Sequence, residues 1–459
     1  MNKNIVLAFI CFLPFHLFAQ ERWNLKDCIT YGLKNNRNST VYENEKRAAD
    51  AQAKEALADY LPKISVTGSL DNNLKVQESV IPGGVFGPDP IRVAFSQKYN
   101  SNAQAQLDQT IYDQSLLTGL KASKYNKQQA DVNIRKSEET IIYNIGNAYY
   151  QIYVYREQLR LLKENLGTYR RQVNISKLQV EKGITLQKDL DKVTVDYNNA
   201  LSQIRIAESN LILSQNQLKY EMGYPISSVL PVDSISQQDV AANVLGNAPG
   251  STVKAGNGIG GNDLAVPFVV GNRADYQLSQ INAKLLTIDE KRIRAGAMPK
   301  LTGYARYGAV GFGNSIGPAF KELSPFSAVG IKLSIPLFDF FRRNAQYNQA
   351  KYKSLNAAEN LKLDEGKYEL EYENAKTKLN NAQSNLESDS RNIGLAESVF
   401  KTTDLQYKKG VTDLTEWLNA QNSIKESQNN YLNSLFSFYQ AKLDLQKASG
   451  SLKTFYTSL

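Results

Sequence analysis

The chain carries one long helical pattern twice, the second copy displaced by 227 residues from the first. In the first copy Ile145, Ile152, Leu159, Leu166, Val173 and Val180 recur every seven residues. Gly183 interrupts them, after which Leu190, Tyr197, Ile204, Leu211 and Leu218 resume the interval. In the second copy Tyr372, Leu379, Leu386, Ile393, Phe400 and Tyr407 lead to Gly410, and Trp417, Ile424, Tyr431, Phe438 and Leu445 follow. A seven-residue apolar interval lays one seam along a helix, so each copy reads as a coiled-coil hairpin and the chain as a repeat protein. The outgoing legs, residues 113–182 and 339–409, would each extend roughly 105 Å at 1.5 Å per residue.

The segments before these legs repeat as well. Residues 24–60 read as one Ala-rich helix stopped by Leu61-Pro62. Ile64, Val66, Gly68 and Leu70 then alternate with Ser65, Thr67 and Ser69, the period of a strand whose faces meet different environments. Residues 81–90, with three prolines and three glycines, predict a loop, and the alternation of Ala103, Ala105, Leu107, Gln109 and Ile111 predicts a second strand. In the second half a helix over 275–297 ends at Met298-Pro299-Lys300, followed by a strand over 301–311, a loop over 312–325 and a strand over 327–338. The expected division is a signal peptide at 1–19, a first repeat at 20–224, a linker at 225–273, a second repeat at 274–450 and a C-terminal tail at 451–459.

Lys3 and the apolar run from Ile5 to Phe18, ending at Ala19, read as an export signal. Its removal would take away the only histidine, His16, together with Cys11, and lower the formal net charge from +9 to +8. A mature chain with no histidine and one thiol, Cys28, can build neither a histidine-based catalytic triad nor an internal disulfide nor a Cys/His zinc site. Cys28 reads as a small buried residue on a helix. The basic and acidic residues are interspersed along the helices, which fits a solvated helical surface and not a nucleic-acid interface. Gly256-Asn257-Gly258-Ile259-Gly260-Gly261 lacks the Lys-Ser/Thr ending of a phosphate-binding loop and reads as a connection. No catalytic, cofactor-binding or metal site is expected, and no enzyme.

Four strands in a chain otherwise helical would leave two sheet edges, which are costly in lipid because edge N–H and C=O groups have no partner. Closing the sheet with strands from several subunits removes them. Trp23-Asn24-Leu25-Lys26-Asp27-Cys28-Ile29, Pro336-Leu337-Phe338, and Tyr407-Lys408-Lys409-Gly410 followed by Leu414 give the chain a resemblance to the TolC family of outer membrane efflux proteins over essentially its whole mature length. The resemblance implies a mainly α fold with a membrane β-barrel. Three chains would form a twelve-stranded barrel, four strands each, above a long coiled-coil helical barrel in the periplasm. It also implies a mixed equatorial belt built partly from 225–273 and the tail.

The function so implied is a passive exit duct of the Gram-negative outer membrane. Its partners would be a periplasmic adaptor of the membrane-fusion type, an inner-membrane pump of the RND or ABC type, and outer membrane lipid. The alternatives are the outer membrane component of type I protein secretion and, of another class, a structural or adhesive surface coiled coil. The latter leaves the paired strands unexplained. By resemblance, residues around the hairpin turns close the periplasmic mouth. Tyr407 matches the family's tyrosine and Asp189 an aspartate of the closing network, while Glu416 and Asn419 stand where the family has aspartates and Thr412 where it has an arginine. The acidic ring is thereby altered. The turns themselves, Lys182-Gly183 and Lys409-Gly410, are the expected adaptor contacts.

Overall fold

A computed structural model describes residues 22–84, 87–94, 96–233 and 268–459. The export signal, Cys11, His16, residues 234–267 of the expected linker and the glycine-rich 256–261 lie outside them. The chain forms α1 (Leu25–Asn35), α2 (Arg37–Ala58), β1 (Lys63–Asn72), β2 (Glu78–Ile81), β3 (Ile91–Ala94), β4 (Tyr99–Tyr112), α3 (Gln114–Glu181) and α4 (Gln187–Met222). After a short 3-10 turn at Val270–Asn272 come α5 (Ala274–Ala295), β5 (Lys300–Gly313), α6 (Pro318–Lys321), β6 (Leu323–Ser334), α7 (Arg342–Lys408), α8 (Leu414–Ser449) and α9 (Leu452–Ser458). Among the described residues no helix is long and apolar enough to cross a membrane.

The chain divides into two compact units. The first takes residues up to 40, 135–273 and 367–459. Its largest core is the heptad seam: Ile145, Ile152, Leu218, Leu379, Leu386, Phe438 and Leu445 are all buried there with Cys28 and Ile29 of α1. Helix α1 starts at a capping box in which Asp27 N–H donates to Asn24 Oδ1 (2.8 Å) and Asn24 N–H to Asp27 Oδ2 (3.2 Å). Cys28 is fully buried, and burial pushes its thiol up to about 12, so it stays protonated. The C-terminal helix α9 packs Leu452 and Phe455 into the same core.

The second unit takes residues 41–134 and 274–366. It holds an antiparallel four-stranded sheet in the order β1-β4-β5-β6, and β2 and β3 form a separate two-stranded sheet. The register aligns Ile64, Leu107, Ala305 and Val329 across the four strands; two residues on, it aligns Val66, Ala105, Tyr307 and Ser327. Directly paired residues point to one face. That face also carries Leu70, Ile331 and Leu333, and apart from the half-buried Leu107 these large apolar side chains are open, with Ile64 73%, Val66 78% and Val329 87% exposed. The opposite face is mainly polar, with Lys63, Ser65, Gln104, Gln106, Asp108, Thr302, Arg306 and Lys332 beside Tyr304, Val310, Phe312 and Phe326. Strands β1 and β6 each pair on one side only.

Four expectations need correction. The helix over 24–60 breaks at Asn36, whose backbone is extended (ψ 132°). There Asn36 Nδ2 donates to the Glu221 carbonyl and Asn38 N–H to Asn36 Oδ1, a tertiary contact that overrides helix propensity. The loop over 81–90 begins inside β2, which pairs with β3 beyond the prolines. The loop over 312–325 contains α6 and the start of β6. The last strand is displaced toward the N-terminus: it ends at Ser334 and not at 338, because Pro336 has no N–H to give to a ladder.

Candidate functional site

The two hairpin turns are built alike. Gly183 N–H donates to the Val180 carbonyl and Ile184 N–H to the Gln179 carbonyl, both at 2.9 Å; Gly410 donates to Tyr407 and Val411 to Gln406 at the same distances. This is the Schellman pattern, which needs a left-handed residue after the helix. Gly183 at φ 68° and Gly410 at φ 73° supply it. The next helices start differently. Asp413 caps α8, accepting from Glu416 N–H at 2.9 Å, whereas Leu186 at the start of α4 has no capping side chain. Exposed apolar side chains crown both turns: Ile184 is 70%, Leu186 62% and Val411 72% exposed.

Just behind the turns a second core cluster joins the two hairpins. Trp417, 1% exposed, packs with Tyr169 and Val193 of the first hairpin and with Phe400 and Tyr407 of its own. Its indole N–H donates to Asp404 Oδ1 (2.9 Å), and Asp404 Oδ2 accepts from Lys408 Nζ (2.6 Å). Tyr407 Oη bonds Gln179 Oε1 at 3.3 Å, one turn before the first reversal. Burial pushes the Tyr169 hydroxyl up to about 12 and raises Asp196, an effect that Lys425 opposes.

The expected gate residues divide accordingly. Tyr407 is half-buried and links the hairpins. Asp189 is half-buried too, yet its ion pair is local, with Lys192 at 3.8 Å. Glu416 and Asn419 are exposed on α8, and Thr412 is half-buried in the loop that follows Gly410. Lys182 and Lys409 are exposed beside their glycines. The sequence does not mark out Gln179 and Asp404 as site residues; the position of Gln179 one turn before Gly183, matching Gln406 before Gly410, is the available signal.

Farther along the seam an all-polar layer is buried. Asn165 Nδ2 donates to Gln428 Oε1 (2.7 Å) and Gln421 Nε2 to Asn165 Oδ1 (3.3 Å), and all three residues are at most 7% exposed. Such a layer holds α3 and α8 in one register, since a slip would leave its amides unpaired. Among the described residues no group of three or more His, Cys, Asp or Glu is placed to hold a metal ion.

A family model described as "Outer membrane efflux protein" matches residues 32–223 and 287–451. The chain is 20% identical over 353 residues to outer membrane protein TolC of Vibrio cholerae, a match covering 76% of this chain and 77% of that protein. It is 21% identical over 364 residues to outer membrane protein TolC of Escherichia coli, covering 77% and 70%. Among solved structures, the fold is similar to VceC of Vibrio cholerae (TM-score 0.71, 15% identity, 93% of this chain and 96% of that one). It is also similar to the open state of the Neisseria gonorrhoeae MtrE outer membrane channel (TM-score 0.69, 16% identity, 93% and 89%). The two matched segments, each carrying one strand-to-hairpin repeat, place the chain in the outer membrane efflux protein family, whose members are non-enzymatic transport conduits of the Gram-negative outer membrane.

Proposed function

We propose that three copies of this chain form a passive exit duct: a twelve-stranded barrel in the outer membrane continued by a helical tunnel in the periplasm. The observation that carries the reading is the four-stranded sheet, which among the described residues has one largely exposed, mainly apolar face, one mainly polar face and two unpaired edges. An open edge is unstable in lipid, and pairing β6 of one copy with β1 of the next closes the sheet and turns its polar face to a lumen. A surface adhesin has no use for such a sheet.

The tips supply the second half of the reading. Ile184, Leu186 and Val411, open beside Lys182, Gly183, Lys409 and Gly410, form the surface that meets a periplasmic adaptor, which couples the duct to an inner-membrane pump of the RND or ABC type. Tyr407, with Gln179, holds the mouth closed; Asp189, Thr412, Glu416 and Asn419 line it with a reduced acidic ring.

Mass measurement of the detergent-solubilised protein tests the assembly. The expected result is a trimer recovered from the outer membrane fraction; a monomer, or recovery in the soluble periplasm, would refute it. Cysteines at 183 and 410 are expected to crosslink to an adaptor in the periplasm and to resist labelling from outside intact cells.

A further inference from the structure

In the second unit a cleft of about 720 Å³ opens between the first turns of α3 and the last turns of α5. Lys121 and Lys124 line it from α3, Lys291 and Arg294 from α5, with Thr118 and Tyr125 between them. No aspartate or glutamate lines it. All four cations are exposed, and none of them makes an ion pair among the described residues. This sets them apart from their neighbours: Lys127 is bonded to Asp50 (2.9 Å), Arg292 to Asp289 (2.7 Å) and Lys300 to Asp113 (3.1 Å). Four unneutralised cations facing one cleft repel one another, a cost that an anion with several oxygens would remove.

The position of the cleft indicates which anion. Helix α3 starts two residues after β4 ends, and α5 ends five residues before β5 begins, so the cleft lies directly below the strands. The exposed apolar face of the sheet runs down to Leu333, and past it Leu337, Phe338, Phe340 and Phe341 are 89%, 67%, 85% and 72% exposed. Exposed aromatics at the end of membrane strands mark the boundary between hydrocarbon and headgroups. Lys121 lies seven residues into α3, roughly 10 Å along the axis. A headgroup layer is about 5–8 Å deep, and long basic side chains extend their charge toward it.

We propose that this cleft binds the phosphate of an anionic phospholipid headgroup from the periplasmic leaflet of the outer membrane. Tyr125 adds a hydroxyl to the four cations, while the Thr118 hydroxyl already donates to the Gln114 carbonyl (2.7 Å). The proposal rests on the barrel reading above, since it takes the strand ends as the membrane boundary.

The test is native mass spectrometry of the full chain, purified in detergent and offered phosphatidylglycerol, phosphatidylcholine or inorganic phosphate. The parent trimer is expected to retain phosphatidylglycerol at least tenfold better than phosphatidylcholine. The Lys121→Gln/Lys124→Gln/Lys291→Gln/Arg294→Gln variant is expected to lose that preference. The Lys121→Arg/Lys124→Arg/Lys291→Arg variant should keep it, and the Lys291→Gln/Arg294→Gln pair should lose part of it, which keeps the test decisive if the fourfold variant does not assemble. Equal retention of the two lipids, unchanged preference in the fourfold variant, or displacement by inorganic phosphate at the lipid's own concentration would overturn the proposal. So would a shifted reversal potential in planar bilayers without any change in lipid retention, which would place the cleft on the conducting path. The same spectra report the oligomeric state separately from lipid retention, so a monomeric parent would overturn the barrel reading and this proposal with it, whereas a trimer without the lipid preference would overturn the proposal alone.

Discussion

The Tyr407 hydroxyl meets the Gln179 side-chain oxygen at 3.3 Å, tying the second hairpin to the first one turn behind their reversals. A single long hydrogen bond between partly exposed groups contributes little. The Tyr407→Phe and Gln179→Ala variants are therefore expected to couple by at most about 1 kcal/mol in a double-mutant cycle of thermal unfolding. Conductance is the more sensitive readout: the Tyr407→Phe/Asp189→Asn/Glu416→Gln variant should conduct more than the parent in planar bilayers at equal trimer content. Unchanged conductance would move the gate away from these residues.

Gly183 and Gly410 are expected to tolerate alanine equally and at modest cost. A Cβ at either position meets nothing within 4 Å, so only the left-handed backbone is penalised, by about 1–2 kcal/mol. Gly223→Ala should be worse, because its Cβ would lie 2.4 Å from the Asn35 carbonyl oxygen as well as at positive φ. Melting temperatures that place Gly223→Ala level with the other two would contradict this account.

Asn165→Leu leaves the Gln428 carbonyl and the Gln421 amide buried without their partner and is expected to destabilise by about 1–3 kcal/mol. Replacing Asn165, Gln421 and Gln428 together by leucine should restore stability at the expense of a fixed register. Disulfide trapping between cysteine pairs on α3 and α8 would report the slip as crosslinks in more than one register. One register in the triple variant would show that the apolar seam sets the alignment unaided.

Asp196 gives a pH dependence with a definite sign. Burial raises its pKa above the ordinary 3.8, so the folded state binds its proton more tightly than the unfolded chain does. The stability this group lends is fully present below pH 3.8 and is lost as pH rises through the folded-state value. Asp196→Asn is therefore expected to melt above the parent at pH 7, with the gain disappearing on acidification. A variant that melts below the parent at pH 7 would mean that the attraction of Lys425 outweighs burial.

The long helices were legible because a seven-residue interval over ten turns admits one explanation; Ile145, Ile152, Leu386 and Trp417 are buried where that interval put them. The turns were legible through Gly183 and Gly410. What escaped were contacts between distant parts of the chain. Asn36 breaks a helix because of a carbonyl at Glu221, and β2 pairs up to Ile81 because β3, on the far side of the proline-bearing loop, is there to receive it. At the site, Tyr407 was recognisable from its place before Gly410, but its partner Gln179 lies 228 residues away. The four cleft cations come from helices that no local pattern connects.

The difference between Asp413 and Leu186 has a consequence for any ring built from this chain. Three copies present six tips, and at every second one the returning helix begins with its first amide hydrogens unclaimed by a side chain. Those tips can fray or donate a hydrogen bond to an acceptor from elsewhere at little cost, while the intervening ones are already fastened. A partner that grips all six would therefore close on three firm posts and three yielding ones, so a ring of three copies would be threefold in mechanics although it presents six hairpins.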